Sequence, residues 1–177
     1  MRTLAVSRSA RAAGRVLLAG IGLVLLCCVS GAGAEVSPFE KLLGRWVGEG
    51  RLGIRDGKTE HVKCRVTYTL PDPGGPLRQS IRCASQGGNV EVQSTISHNA
   101  GSLTGTWKEL VRDWSGALSG NVTPRGFRVA VTGETLRANM DIIVRDARQI
   151  IEIQFIDSAL IGLTLILEKA DAPGSRG

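Results

Sequence analysis

Few side chains in this chain are of a type that does chemistry, and their spacing excludes most reactions. The two histidines, His61 and His98, both fall in the first 100 residues. His61 reads as part of a polar strand face and His98 as part of a turn, His98-Asn99-Ala100-Gly101, which makes both solvated surface residues rather than metal ligands. No His-x-x-x-His pair, Gly-x-Ser-x-Gly elbow or Gly-rich phosphate loop occurs in the chain. The carboxylates stand singly, mostly on outward faces or in turns, so none is paired as acid and base. Asp113-Trp114-Ser115-Gly116 reads as a loop that sets an aromatic at a rim. The expectation is a protein with no catalytic residues, no metal ligands and no cofactor.

Two pairs remain. Cys64 and Cys83 lie in no Cys-x-x-Cys motif and near no activating group, so they read as a structural disulfide rather than a redox dithiol. Tyr68 and Gln79 carry polar groups suited to orienting a ligand, or to satisfying each other. Whether either pair meets depends on the strands that carry it.

Strand order and register follow from alternation and turn chemistry. Ser37-Pro38-Phe39-Glu40 reads as a helix start, with Ser37 at the N-cap, Pro38 in the first helical position and Glu40 completing a capping box; Gly44 ends this short helix. A first strand then runs from Arg45 to Ile54, with Trp46, Gly48, Gly50, Leu52 and Ile54 on one face. Two glycines after an inward Trp leave the interior beside it free of side chains, because a second backbone crosses there or because the strand coils sharply. The second strand, Lys58 to Leu70, turns Val62, Cys64, Val66, Tyr68 and Leu70 to one side. A three-residue bulged turn, Arg55-Asp56-Gly57, keeps the apolar faces together by pairing Leu52 with Glu60 and Gly48 with Cys64. Across the six-residue breaker Pro71 to Pro76, pairing Leu70 with Leu77 sets Tyr68 opposite Gln79 and Cys64 opposite Cys83. Closing that loop of roughly 20 residues contributes about 3 kcal/mol in the chain-entropy view of disulfides.

The alternation continues with no further helix. Strands are read around Val90 to Ile96, Leu103 to Lys108, Leu118 to Val122, Phe127 to Thr132, Leu136 to Val144, Gln149 to Ile156 and Leu160 to Lys169. In the last, Leu163, Leu165 and Leu167 share a face with Ile161, and Ile166 and Gly162 on the other face imply that it too is partly covered. About ten strands in up-and-down order would leave long edges in an open sheet, so the predicted fold is a closed antiparallel all-β barrel with a short N-terminal helix.

Targeting signals bound the domain. Arg2, Arg8, Arg11 and Arg15 precede an apolar run, Val16 to Val29, and Ala32-Gly33-Ala34 is a small-residue cleavage site, so residues 1–34 read as a secretory signal peptide. A retained membrane anchor is the rival, although the run is short of the roughly 20 residues a spanning helix needs. Lipidation at Cys27 or Cys28 is a minor alternative, because neither stands in a lipobox. Residues 35–170 read as the barrel domain and 171–177 as a disordered tail. Of 22 Lys+Arg and 16 Asp+Glu, four arginines and no acids lie in the signal, leaving a net charge of +2. Such a domain gives no support to nucleic-acid binding. The expected location is the periplasm or the exterior, with no membrane span in the mature form.

A short helix followed by Gly44-x-Trp46 at the start of an up-and-down barrel resembles the calycin superfamily, which includes lipocalins, fatty-acid-binding proteins and avidins. The longer Gly44-Arg45-Trp46-Val47-Gly48-Glu49-Gly50 is similar to the opening motif of nitrobindins, which are ten-stranded haem-binding barrels. That resemblance implies a His ligand late in the chain. No His follows Asn99, so haem is not carried over.

With these faces, Trp46, Tyr68, Gln79, Trp107, Phe127, Met140 and Phe155 line the interior, as core or as the wall of a ligand site. The expected function is non-enzymatic binding of a small hydrophobic ligand inside an exported barrel. The alternative is a solid barrel acting as a protein-interaction module through loops such as Pro71 to Pro76 and Val111 to Gly116.

Overall fold

The computed structural model describes residues 37–170. The signal read at 1–34, with Cys27 and Cys28, and the tail at 171–177 lie outside the described residues. Ten strands follow in chain order: β1 (Gly44–Ile54), β2 (Thr59–Thr69), β3 (Leu77–Ser85), β4 (Gly88–Asn99), β5 (Ser102–Glu109), β6 (Trp114–Thr123), β7 (Gly126–Gly133), β8 (Arg137–Arg145), β9 (Arg148–Ile156) and β10 (Leu160–Lys169). Each pairs antiparallel with its neighbour in the chain, and β10 pairs with β1, so the sheet closes into a barrel. Closure gives every strand a partner on both sides and leaves no edge exposed.

The register inferred from turn chemistry is the one formed. Leu52 pairs with Glu60 and Gly48 with Cys64, and the Ile54 amide donates to the Lys58 carbonyl across the link at 2.9 Å. Both Asp56 and Gly57 take positive φ in that turn; Gly does so at no steric cost and Asp is among the residues that tolerate it. On the other side of β2, Tyr68 stands opposite Gln79 and Cys64 opposite Cys83. The two cysteines form a disulfide across a Cα separation of 4.2 Å, a spacing that fits a non-hydrogen-bonded antiparallel pair.

The segment before β1 differs from the capped helix expected there. It is a single 3₁₀ turn, Glu40–Leu42, with no side-chain cap, and Ser37 only brings its Oγ to 3.4 Å from the Phe39 amide. Between Ser37 and Gly44 there is too little chain for an α-helix to recover its nucleation cost. Tertiary contact decides the conformation instead: Phe39 and Leu42 turn into the barrel mouth and are buried. The Trp46 indole N–H donates to the Leu42 carbonyl at 2.6 Å, which ties the turn to β1. This turn closes one end of the barrel, hereafter the plugged end.

Three local readings are corrected. Trp114 belongs to β6, where it pairs with Glu109, so only residues 110–113 form the loop. His98 lies in β4 rather than in the following turn; it is half-buried, its ring meets Phe39 edge-on at 6.2 Å, and its Nε2 accepts the Gly101 N–H at 2.9 Å. Ile166, expected to be partly covered, is 50% exposed on the outer wall.

Candidate functional site

The inner wall below the plug is mostly apolar; its polar side chains are Ser94 on β4, buried opposite Gln79, and one hydrogen-bonded cluster. Tyr68 on β2, Gln79 on β3 and Gln149 on β9 all point inward and are buried. The Gln79 amide donates to the Tyr68 hydroxyl at 3.3 Å and the Gln149 amide donates to the same oxygen at 3.0 Å. Burial pushes the Tyr68 phenol pKa up, against the two hydrogen bonds that favour the phenolate. Tyr68 is therefore a neutral hydroxyl at physiological pH, a hydrogen-bonding group and not a base. Gln149 Oε1, also buried, has no hydrogen-bond partner among the described residues. Leaving such an acceptor unsatisfied costs about 1–3 kcal/mol, which an apolar side chain of the same size would avoid.

Beside this cluster lies a cavity of about 20 Å³, walled by Phe39 and Leu42 of the plug and by Tyr68, Gln79, Phe127 and Met140, among others. That volume admits a group about the size of one water molecule. Of the seven residues read as interior lining, six are buried or packed against the core and Phe155 is only half-buried, and they do not form one site. Tyr68, Gln79, Phe127 and Met140 border the cavity. Trp46, with no exposed surface, holds the plug through its indole N–H. Trp107 donates to the Thr132 carbonyl at 3.1 Å and lies over Gly116 and Gly133, which face each other across β6 and β7. Phe155 pairs with Ala138 toward the other end.

The inward glycines of β1 leave no room for a ligand; a second backbone crosses there, as one of the two readings of the sequence had it. A Cβ at Gly48 would overlap the Ile166 carbonyl oxygen, and one at Gly50 that of Thr164. Bare positions here let β1 and β10 approach closely and coil; they serve closure of the barrel.

Gln149 was the residue missed. Its signal lay in the parity of β9, where Gln149, Ile151, Ile153 and Phe155 share a face, so a polar side chain stands at an inward position. Glu109 was missed as well. Buried at the end of β5 away from the plug, its carboxylate accepts the amides of Glu91, Val111 and Arg112 at 3.2, 3.1 and 2.7 Å. Burial alone would raise its pKa, but these donors and the Arg112 guanidinium hold it below 4.5. It organises the β5–β6 loop as a satisfied anion. His61 is exposed, 3.3 Å from Glu49, and among the described residues no three His, Cys, Asp or Glu side chains gather as a metal site.

No protein-family model and no curated protein matches the chain. Among solved structures, the S-type phycobiliprotein lyase from Guillardia theta is similar, with a TM-score of 0.57 and 10% identity over 76% of this chain and 91% of that one. At that identity the likeness is one of fold, and it agrees with the closed antiparallel barrel described above.

Proposed function

We propose that this chain is an exported, non-enzymatic binding protein whose barrel takes a small hydrophobic molecule at the plugged end. The observation that carries this reading is the Tyr68–Gln79–Gln149 cluster, set in a mostly apolar wall with one buried acceptor unspent. A core selected only for solidity gains nothing from it. A ligand with an apolar body and one hydrogen-bond donor matches both features: the donor satisfies Gln149 Oε1, and the body takes the place of the plug. Displacement of Phe39 and Leu42 is required, because 20 Å³ is far below the roughly 300–1,000 Å³ of a small-molecule pocket. The similar solved structure is named a lyase, so a barrel of this shape is compatible with enzymatic activity in that protein. Here the interior groups at the plugged end are a neutral phenol, two amides and, beside Phe39, the His98 imidazole, whose Nε2 is already occupied by the Gly101 N–H; that set supports binding rather than proton transfer.

The small cavity is the observation that favours the second reading, a solid barrel that acts through its loops. The two candidate loops sit at opposite ends: 70–76 joins β2 to β3 at the plugged end, and 110–113 joins β5 to β6 at the other. One flat partner surface could use only one of them.

Native mass spectrometry of the protein purified from a periplasmic expression host, with organic extraction of bound material, separates the readings. A co-purifying apolar molecule, or a gain in thermal stability with fatty acids, haem or phospholipids, supports the carrier. A clean apo mass with no such gain moves the assignment to the interaction module.

A further inference from the structure

The outer wall over β8, β9 and β10 carries a pattern that the interior does not require. Ile143 pairs with Ile150 and Ile150 with Ile166, so three isoleucines stand in line across three adjacent strands on the solvent side. Ile166 is 50% exposed, and Ile143 and Ile150 are half-buried. Two residues along the strands, on one side of this row, Arg145 stands directly opposite Arg148; two residues along on the other side, Asp141 stands directly opposite Glu152. Like charges facing each other across a strand pair are destabilising, and this hairpin contains two such pairs of opposite sign. Their relief within the chain is partial. Asp141 meets Arg128 at 2.8 Å, and Arg148 meets Glu168 at 3.3 Å in a solvent-exposed pair, which contributes little in water. Arg145 and Glu152 have no ion-pair partner among the described residues. The basic and acidic pairs are about 13 Å apart along the strands, too far to neutralise one another in one chain.

We propose that this face docks a second copy of the chain, with the two-fold axis running along the isoleucine row. A half-turn about that line lays each strand against its own counterpart with the direction reversed. Ile143, Ile150 and Ile166 then meet themselves, Arg145 meets Asp141 of the second copy, and Arg148 meets its Glu152. Both like-charge pairs of this hairpin then face the opposite sign in the dimer, in the reciprocal manner an isologous interface requires. The patch measures roughly 15 Å on a side from strand spacing and rise, less than the roughly 800 Å² per partner of a standard interface. Association is accordingly weak and concentration-dependent.

Sedimentation equilibrium of the purified protein from about 10 µM to about 1 mM should show a monomer–dimer equilibrium that weakens as salt rises, since the added contacts are partly exposed charges. Two charge-reversed variants give the decisive reading. Arg145→Asp with Arg148→Glu makes the flanks wholly acidic, and Asp141→Arg with Glu152→Arg makes them wholly basic. Each alone should self-associate at least about tenfold more weakly, and an equimolar mixture should form a heterodimer tighter than the wild-type dimer. Should a reversed variant fail to fold, Ile150→Cys serves instead: on the axis it oxidises to a disulfide-linked dimer, whereas Gln154→Cys, off the axis, does not. A wild-type protein monomeric throughout, a mixture that stays monomeric, or cross-linking equal at both cysteine positions would overturn the proposal.

Discussion

The Gln149 amide donates to the Tyr68 hydroxyl at 3.0 Å although 81 residues separate them in the chain and the strands β1 and β10 lie between them in the barrel. The hydrogen bond spans the interior, and Gln79 joins it from the strand beside Tyr68. A network that crosses the lumen ties non-adjacent strands and marks the part of the core that packing alone does not explain.

Removing the shared hydroxyl should expose how this network is weighted. Tyr68→Phe strands the amides of Gln79 and Gln149 together and is expected to cost about 1–3 kcal/mol in urea denaturation. Gln149→Met, close in volume, removes the unsatisfied acceptor and is expected to be neutral or to stabilise by about 1 kcal/mol, while abolishing any ligand-induced gain in melting temperature. A Gln149→Met protein as strongly destabilised as Tyr68→Phe would contradict the view of Gln149 as a functional rather than a packing residue.

The disulfide closes a 19-residue separation between strands that the barrel already pairs. Cys64→Ser with Cys83→Ser should lower stability by about 3 kcal/mol, roughly 10 °C in melting temperature, with the far-UV dichroism of the barrel retained. Reduction of the wild type should give the same shift, and an unchanged melting temperature would mean that the crosslink contributes nothing.

Glycine at two kinds of position should behave differently. Gly48→Ala drives a methyl group into the Ile166 carbonyl and is expected to cost more than about 4 kcal/mol or to abolish soluble expression. Gly57→Ala meets no atom within 4 Å and pays only for its positive φ, about 1–2 kcal/mol. Denaturation midpoints of the two variants test whether the β1 glycines serve barrel closure.

Glu109 should make stability pH-dependent at the acid end. Its carboxylate pKa is lowered in the fold relative to 4.5, so the unfolded state takes up a proton first as pH falls. The stabilisation is complete above the unfolded value and is lost as pH drops through the folded one. Glu109→Gln is expected to be less stable than wild type at pH 7, with the gap closing on acidification. Chemical denaturation at pH 7 and at about pH 3 measures both ends, and a gap independent of pH would place the effect in packing rather than charge.

The sequence alone determined the number and order of the strands, most of their faces and the β1–β2–β3 register. These depend on side-chain parity and on the lengths of two short turns, which are local, and parity then places Cys64 opposite Cys83 and Tyr68 opposite Gln79. Tertiary structure alone decided the rest. Trp46 and the other bulky interior residues were recognisable as inward, but how they share the lumen depends on barrel shear and strand coiling, which no single strand encodes. So only closure decided that the backbone crossing the β1 glycines is that of β10, and the N-terminal segment became a 3₁₀ plug because its apolar side chains have a barrel mouth to enter. Gln149 reached Tyr68 for the same reason: its inward position was visible along β9, but its partner, across two intervening strands of the wall, became its neighbour only when the sheet closed.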